Sequence, residues 1–101
     1  MSNKQYGLTK ERQVKKMLEQ QGYQAYRQRG SFGCYDIIAR NNKEWKLVQV
    51  KATKQKYVSY GCDIQVIRND QVPENTSKEL WIYWSPCKGR DKKGWEIIKI
   101  V

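Results

Sequence analysis

Residues 31–51 read SFGCYDIIARNNKEWKLVQVK, and the way this stretch pairs with itself decides the fold. Two β-type runs, residues 35–40 and 45–51, flank a polar Asn-Asn-Lys-Glu link that reads as a hairpin turn. With Asn42 and Lys43 at the turn, Asp36 stands opposite Gln49. Paired residues share a face, and Lys51, two residues further on, lies on that face as well. An acid, an amide and a lysine then converge. A loop one residue shorter or longer would move Asp36 to the other face, leaving it as a turn cap with Gln49 and Lys51 as ordinary edge-strand polars.

Outward from this hairpin, the chain of 101 residues is the size of one domain, spanning 1–101. Hydrophobic residues make up 39% and charged residues 30%, a globular profile rather than a disordered or membrane one. No run is long and apolar enough to span a bilayer, and the polar start MSNKQYGLTKER lacks the apolar core of a secretory signal, so a cytoplasmic location is expected. Cys34, Cys62 and Cys87 form no CxxC pair, and there is no histidine to complete a zinc site. They are read as reduced thiols. Without histidine, catalysis must run on carboxylates, lysine, hydroxyls or a hard cation held by oxygen. Twenty Lys and Arg against ten Asp and Glu leave a formal charge of +10, which favours a polyanionic partner, nucleic acid above all.

Residues 1–6 are expected to form a flexible basic arm carrying Lys4. Residues 8–21 read as a helix of good helix formers stopped by Gly22. At about 100° per residue, Leu8, Val14, Met17 and Leu18 gather on one side. Glu11 falls inside that stripe, whereas Lys10 and Arg12 lie mostly outside it. An acid there is either a first-turn residue favoured by the helix dipole or one aimed at a cation. Residues 23–29 alternate as a strand with Tyr23, Ala25 and Arg27 on one face. They run into Arg29-Gly-Ser31-Phe-Gly, a glycine-bearing loop that would set Arg27, Arg29 and Ser31 beside Asp36, suited to gripping a phosphate.

Apolar residues on both faces of the hairpin predict a central strand pair. Beyond it, Lys54, Lys56, Tyr57 and Tyr60 interleave cations with aromatics, which fits either a nucleic-acid backbone or a solvated strand edge. Residues 63–68, DIQVIR, read as a fourth strand, 69–77 as a loop with room for one helical turn, and 80–85 and 95–101 as strands joined by the basic loop CKGRDKKG. Trp81, Trp84 and Trp95 are expected in the core, or in part against a partner subunit.

The ordered set of a helix with Glu11, a strand with Arg27 and Arg29, the GSFG loop, Tyr35-Asp36-Ile37-Ile38 and Val48-Gln49-Val50-Lys51 resembles the PD-(D/E)XK nuclease superfamily. Within it, the chain is most similar to the small archaeal-type Holliday-junction resolvases, over roughly residues 7–54. The resemblance implies an α/β, restriction-endonuclease-like fold, with a mixed sheet of about five strands and the N-terminal helix packed on it. It also implies hydrolysis of DNA phosphodiesters by a homodimer that needs Mg2+ or Mn2+, no small-molecule cofactor and no membrane. By position, Asp36 resembles the invariant metal-binding aspartate, Glu11 the helix glutamate, Lys51 the motif lysine and Ser31 the loop serine. Gln49 departs from the pattern, standing where the family usually has Glu or Asp. Some homing endonucleases of the superfamily share the D…QxK form, so the amide does not by itself imply inactivity.

The chemistry follows from the residues too. Phosphodiester hydrolysis needs a cation to offset phosphoryl charge and acidify a water, plus a positive group for the transition state. Asp36, the Gln49 amide oxygen, the Val50 carbonyl and Glu11, through water, are the candidate ligands of a magnesium ion. Lys51 would orient or activate the water, or neutralise the phosphate. Lys4, Lys10, Arg12, Arg27, Arg29, Ser31, Lys54 and Lys56 are candidate DNA contacts. A junction resolvase is the first expectation and a sequence-specific homing or restriction-type enzyme the second. A DNA-binding module without catalysis is the rival of another class, and an RNA substrate is a weaker third.

Overall fold

The structure is a computed structural model describing residues 3–28, 34–55, 58–89, 91 and 93–100, with side chains from Tyr6 onward. Its first element, α1, spans Asn3–Gln20. The helix therefore starts inside the stretch expected to be a flexible arm. Gly7 does not interrupt it, and space is open where a β-carbon would sit. Tyr6 ties this early turn down through a hydrogen bond between its hydroxyl and Ser85 Oγ. At the far end, Gly22 takes φ 98°, the Tyr23 N–H reaches the Leu18 carbonyl at 3.1 Å and the Gly22 N–H reaches the Glu19 carbonyl at 3.1 Å. That is a Schellman stop, which uses the left-handed conformation glycine adopts without penalty.

Val14 and Leu18 on α1 are fully buried against Ala25, Ile37, Ala39, Val48, Val50 and Trp81. Each such side chain contributes about 1.5–3 kcal/mol when taken wholly out of water. The strands are β1 Gln24–Arg27, β2 Ile37–Arg40, β3 Trp45–Thr53, β4 Thr76–Trp84 and β5 Gly94–Ile100, lying side by side in that order. All neighbours are antiparallel except β3 and β4, which run parallel. The sheet is thus mixed, five-stranded and carries the N-terminal helix on one face, as the residues led one to expect.

The β2–β3 register pairs Ile37 with Val48 and Arg40 with Trp45, the pairing expected for a turn at Asn42 and Lys43. Asn41 explains the turn: its Oδ1 accepts the N–H groups of Lys43 and Glu44, each at 2.8 Å. Such local bonding is why asparagine starts turns.

Residues 63–68 are not a strand. They lie in a second helix, α2, spanning Gly61–Asn69. The run DIQVIR alternates, but Ile64 and Ile67 also sit three apart, and in the helix they turn together onto Tyr35, Leu80, Ile82, Trp84 and Ile100. Val66, half exposed, points away. Topology makes the choice: two parallel neighbours need a crossover rather than a tight turn, and α2 is that crossover. Accordingly β4 begins at Thr76, earlier than the expected residue 80. Trp81 and Trp84 are buried in the core, as expected. Among the described residues no helix is long and apolar enough to cross a membrane.

Candidate active site

Beyond Ile37 the β2–β3 ladder changes character. The Asp36 N–H donates to the Val48 carbonyl at 2.9 Å, and the Asp36 carboxylate accepts the Val50 N–H at 2.8 Å. Asp36 therefore does not stand as a plain cross-strand partner of Gln49; its side chain is folded onto the β3 backbone one residue beyond it. Burial holds the Asp36 carboxyl above the usual range, and the Val50 N–H and the nearby Lys51 ammonium pull the other way. The expected neighbourhood of Asp36 and Lys51 is present, with one carboxylate oxygen already engaged by the backbone.

Glu11 reaches the same place from α1. Its carboxyl is raised above the usual range by burial and by the Asp36 charge, opposed by Arg27. Arg27 Nε lies 3.6 Å from Glu11 Oε1, and both side chains are mostly buried. The strand alternation groups Arg27 with Ala25, and Ala25 packs with Val14 and Leu18 of α1. Arg27 is consequently paired with the acid rather than open to solvent.

Gln49 is 8% exposed, and its amide oxygen has no hydrogen-bond partner among the described residues. Lys51, two residues along β3 on the same face, is about one-third exposed and sits 3.5 Å from Asp63 Oδ1 at the start of α2. Asp63 has no counterpart in the sequence expectation, because a strand over 63–68 would not bring it here. The signals were Ser59, whose Oγ accepts the Gly61 N–H at 3.4 Å, and the three-residue spacing of Ile64 and Ile67. Among the described residues no cluster of three or more His, Cys, Asp or Glu forms.

A cleft of about 410 Å³ opens beside Lys51, lined by Tyr6, Gly7, Val50, Thr53, Lys54 and Gln55 among others. The Lys54 ammonium is 4.7 Å from the centre of the Tyr6 ring, and that of Lys10 is 3.6 Å from the centre of the Tyr83 ring. Arg12 is exposed on α1. Arg29, Ser31 and Lys56, and the side chain of Lys4, lie outside the described residues.

Residues 2–72 match the model of the archaeal Holliday junction resolvase family. The chain belongs to this resolvase family. Among solved structures, it is similar to a Holliday junction resolvase from the archaeal hyperthermophile Archaeoglobus fulgidus, with TM-score 0.65 and 21% identity. The likeness covers 93% of this chain and 72% of that one. No curated protein sequence matches significantly. The family match spans α1, the β1–β2–β3 meander and α2, the elements that carry Glu11, Arg27, Asp36, Gln49, Lys51 and Asp63. The restriction-endonuclease-like fold and the resolvase class of nuclease implied by the ordered motifs are thereby established.

Proposed function

We propose that this chain is a Mg2+- or Mn2+-dependent endodeoxyribonuclease that resolves four-way DNA junctions as a homodimer, with Glu11, Asp36, Gln49 and Lys51 as its working residues. The observation that carries the assignment of the site is the buried, partnerless Gln49 amide oxygen, on the strand where Asp36 is anchored and Lys51 ends the motif. A buried acceptor without a partner costs free energy, and an oxygen-seeking cation relieves that cost. The donor set suits such an ion: all-oxygen, two carboxylates crowded enough that Asp36 raises Glu11, one amide and the Val50 carbonyl. Gln49 leaves it one negative charge short of the usual pattern. Weaker binding of the ion, and activity favoured by manganese or by higher magnesium, follow from that deficit.

When bound, the ion supplies Lewis acidity and a lowered water pKa. The chain does the rest. Asp36 is held in place by the Val50 N–H, so its free oxygen needs no rearrangement when the substrate arrives. Lys51 brings a positive charge to the phosphoryl oxygens and orients the attacking water. Arg27 holds Glu11 on the α1 side of the site. Ser31 keeps the role of loop serine given by the resemblance. Lys54 lines the cleft beside Lys51 and, with Lys4, Lys10, Arg12, Arg29 and Lys56, is a proposed contact to the sugar–phosphate backbone, whereas Arg27 is taken up by Glu11. Two chains are needed because one site cuts one strand, and resolution requires two matched cuts.

The test is cleavage of labelled four-way junctions and linear duplex with magnesium, manganese or chelator. Symmetric, metal-dependent cuts in the junction are expected, lost in Asp36→Ala. A single preferred duplex site would instead indicate a sequence-specific enzyme. Cleavage that survives unchanged in Asp36→Ala would remove the site assignment, and no cleavage by the parent chain would leave a DNA-binding module.

A further inference from the structure

Lys51 is flanked by two carboxylates from different elements. Asp36, on the chain entering β2, is bonded at 2.8 Å to the N–H of Val50, the residue preceding Lys51, and Asp63, in the first turn of α2, lies 3.5 Å from the ammonium. We infer that Asp63 is a positioning residue for Lys51, fixing its ammonium beside the scissile phosphate in place of the carboxylate that position 49 lacks. The inference rests on the nuclease reading given above and assigns a role to α2 within it.

Positions 49 and 51 share a face of β3, so a Glu or Asp at 49 would stand next to the Lys51 side chain and restrain it electrostatically. Gln49 supplies no charge. A lysine side chain has four rotatable bonds, and with nothing to hold it the ammonium spends little time in any one place. Asp63 provides an anchor from α2. It sits in the first turn of α2, where a carboxylate is favoured by the helix dipole and needs no lysine to justify its charge. Its neighbours Ile64 and Ile67 dock α2 on β4 and β5, so the carboxylate is presented by a packed element rather than a loop.

Two observations separate this role from metal binding and from plain stabilisation. Asp63 does not join Glu11 and Asp36 in a cluster of three acidic groups, so it is not part of the proposed ligand set. The Lys51 and Asp63 side chains are 36% and 30% exposed, and ion pairs so open to solvent add little to folding stability. What such a pair does retain is direction: it selects one set of lysine rotamers. Bound DNA brings a phosphate to the same ammonium, and a lysine already held there needs no search during the chemical step.

The experiment compares the parent chain, Asp63→Asn, Asp63→Glu, Lys51→Ala and the Asp63→Asn/Lys51→Ala double variant on four-way junctions with manganese. Junction affinity, single-turnover cleavage rate with enzyme in excess, and thermal midpoint are recorded for each. Asp63→Asn is expected to slow cleavage by about tenfold or more with affinity and midpoint unchanged, and Asp63→Glu to recover most of the rate. In the Lys51→Ala background, Asp63→Asn should change nothing further. An unaltered rate in Asp63→Asn, a loss that appears only in affinity or midpoint, no recovery by Glu, or an equal further loss without Lys51 would each overturn the inference. A parent chain that does not cleave would overturn the nuclease reading as well, whereas any of the former results with an active parent overturns this inference alone.

Discussion

Gln49 concentrates the energetics of the site in one side chain. Its oxygen is withdrawn from water without a partner, while the carboxyls of Glu11 and Asp36 are both displaced upward, burial being the largest cause for each. In the proposed site, two acids and one amide would be held ready at a cost to stability. A glutamate at 49 would add a third negative charge to the proposed ligand set. Gln49→Glu is expected to lower the half-saturating magnesium concentration for cleavage by about tenfold, because ligand charge count sets affinity for a hard cation. The same variant should unfold at a lower temperature than the parent in chelator and at a higher one in excess magnesium, since an ion bound only by the native state stabilises it by mass action. A metal titration of junction cleavage and a pair of melting curves check both halves.

Among the elements, α2 is held in place by a buried lysine. Lys78, buried on β4, donates its ammonium hydrogens to the carbonyls of Ile67 at 2.8 Å, Arg68 at 3.3 Å and Asp70 at 2.7 Å. These are carbonyls at and just past the helix end, that of Ile67 also accepting the Asp70 N–H at 3.1 Å, and a cation there also meets the negative end of the helix dipole. Tyr35 adds a second tie, its hydroxyl donating to Asp70 Oδ2 at 2.7 Å just before β2 begins. Lys78→Met keeps the length of the side chain and removes all three bonds. It is expected to destabilise the chain by about 1.5–3 kcal/mol, the usual worth of hydrogen bonds to a charged group. Urea unfolding should show a lower midpoint with an unchanged slope.

At the scale of the whole molecule, the charge of +10 decides how the protein meets its substrate. Lys51 and Lys54 line one cleft at the end of β3, where the Lys54 ammonium meets the Tyr6 ring of α1. Junction affinity is expected to fall about a thousandfold between roughly 50 and 200 mM salt if six or so phosphates are contacted, through release of counterions. Lys54→Gln should reduce the slope of that dependence by about one without changing which strands are cut. Equilibrium binding over a salt series measures both, and sedimentation of the complex should give two chains per junction, as the proposed pair of cuts requires.

The hairpin, its register and the acidic position on α1 were readable from residues alone because each rests on local rules. Asn41 bonds its own turn, side chains alternate along β3, and apolar residues repeat around α1 with Glu11 among them. Those rules bring Glu11, Asp36 and Lys51 to one neighbourhood, and the order of motifs along the chain identifies the nuclease family. Local rules also explain the errors. DIQVIR satisfies both a two-residue and a three-residue spacing, and only the parallel pairing of β3 with β4, a contact between segments distant in sequence, makes it the crossover helix. The early start of α1 likewise depends on Tyr6 meeting Ser85 from the far end of the chain. Tertiary structure alone folded the Asp36 carboxylate onto the Val50 N–H, left the Gln49 oxygen buried without a partner and set Asp63 beside Lys51. Spacing along a chain determines which face a side chain takes, but the partner it finds there depends on how the elements pack.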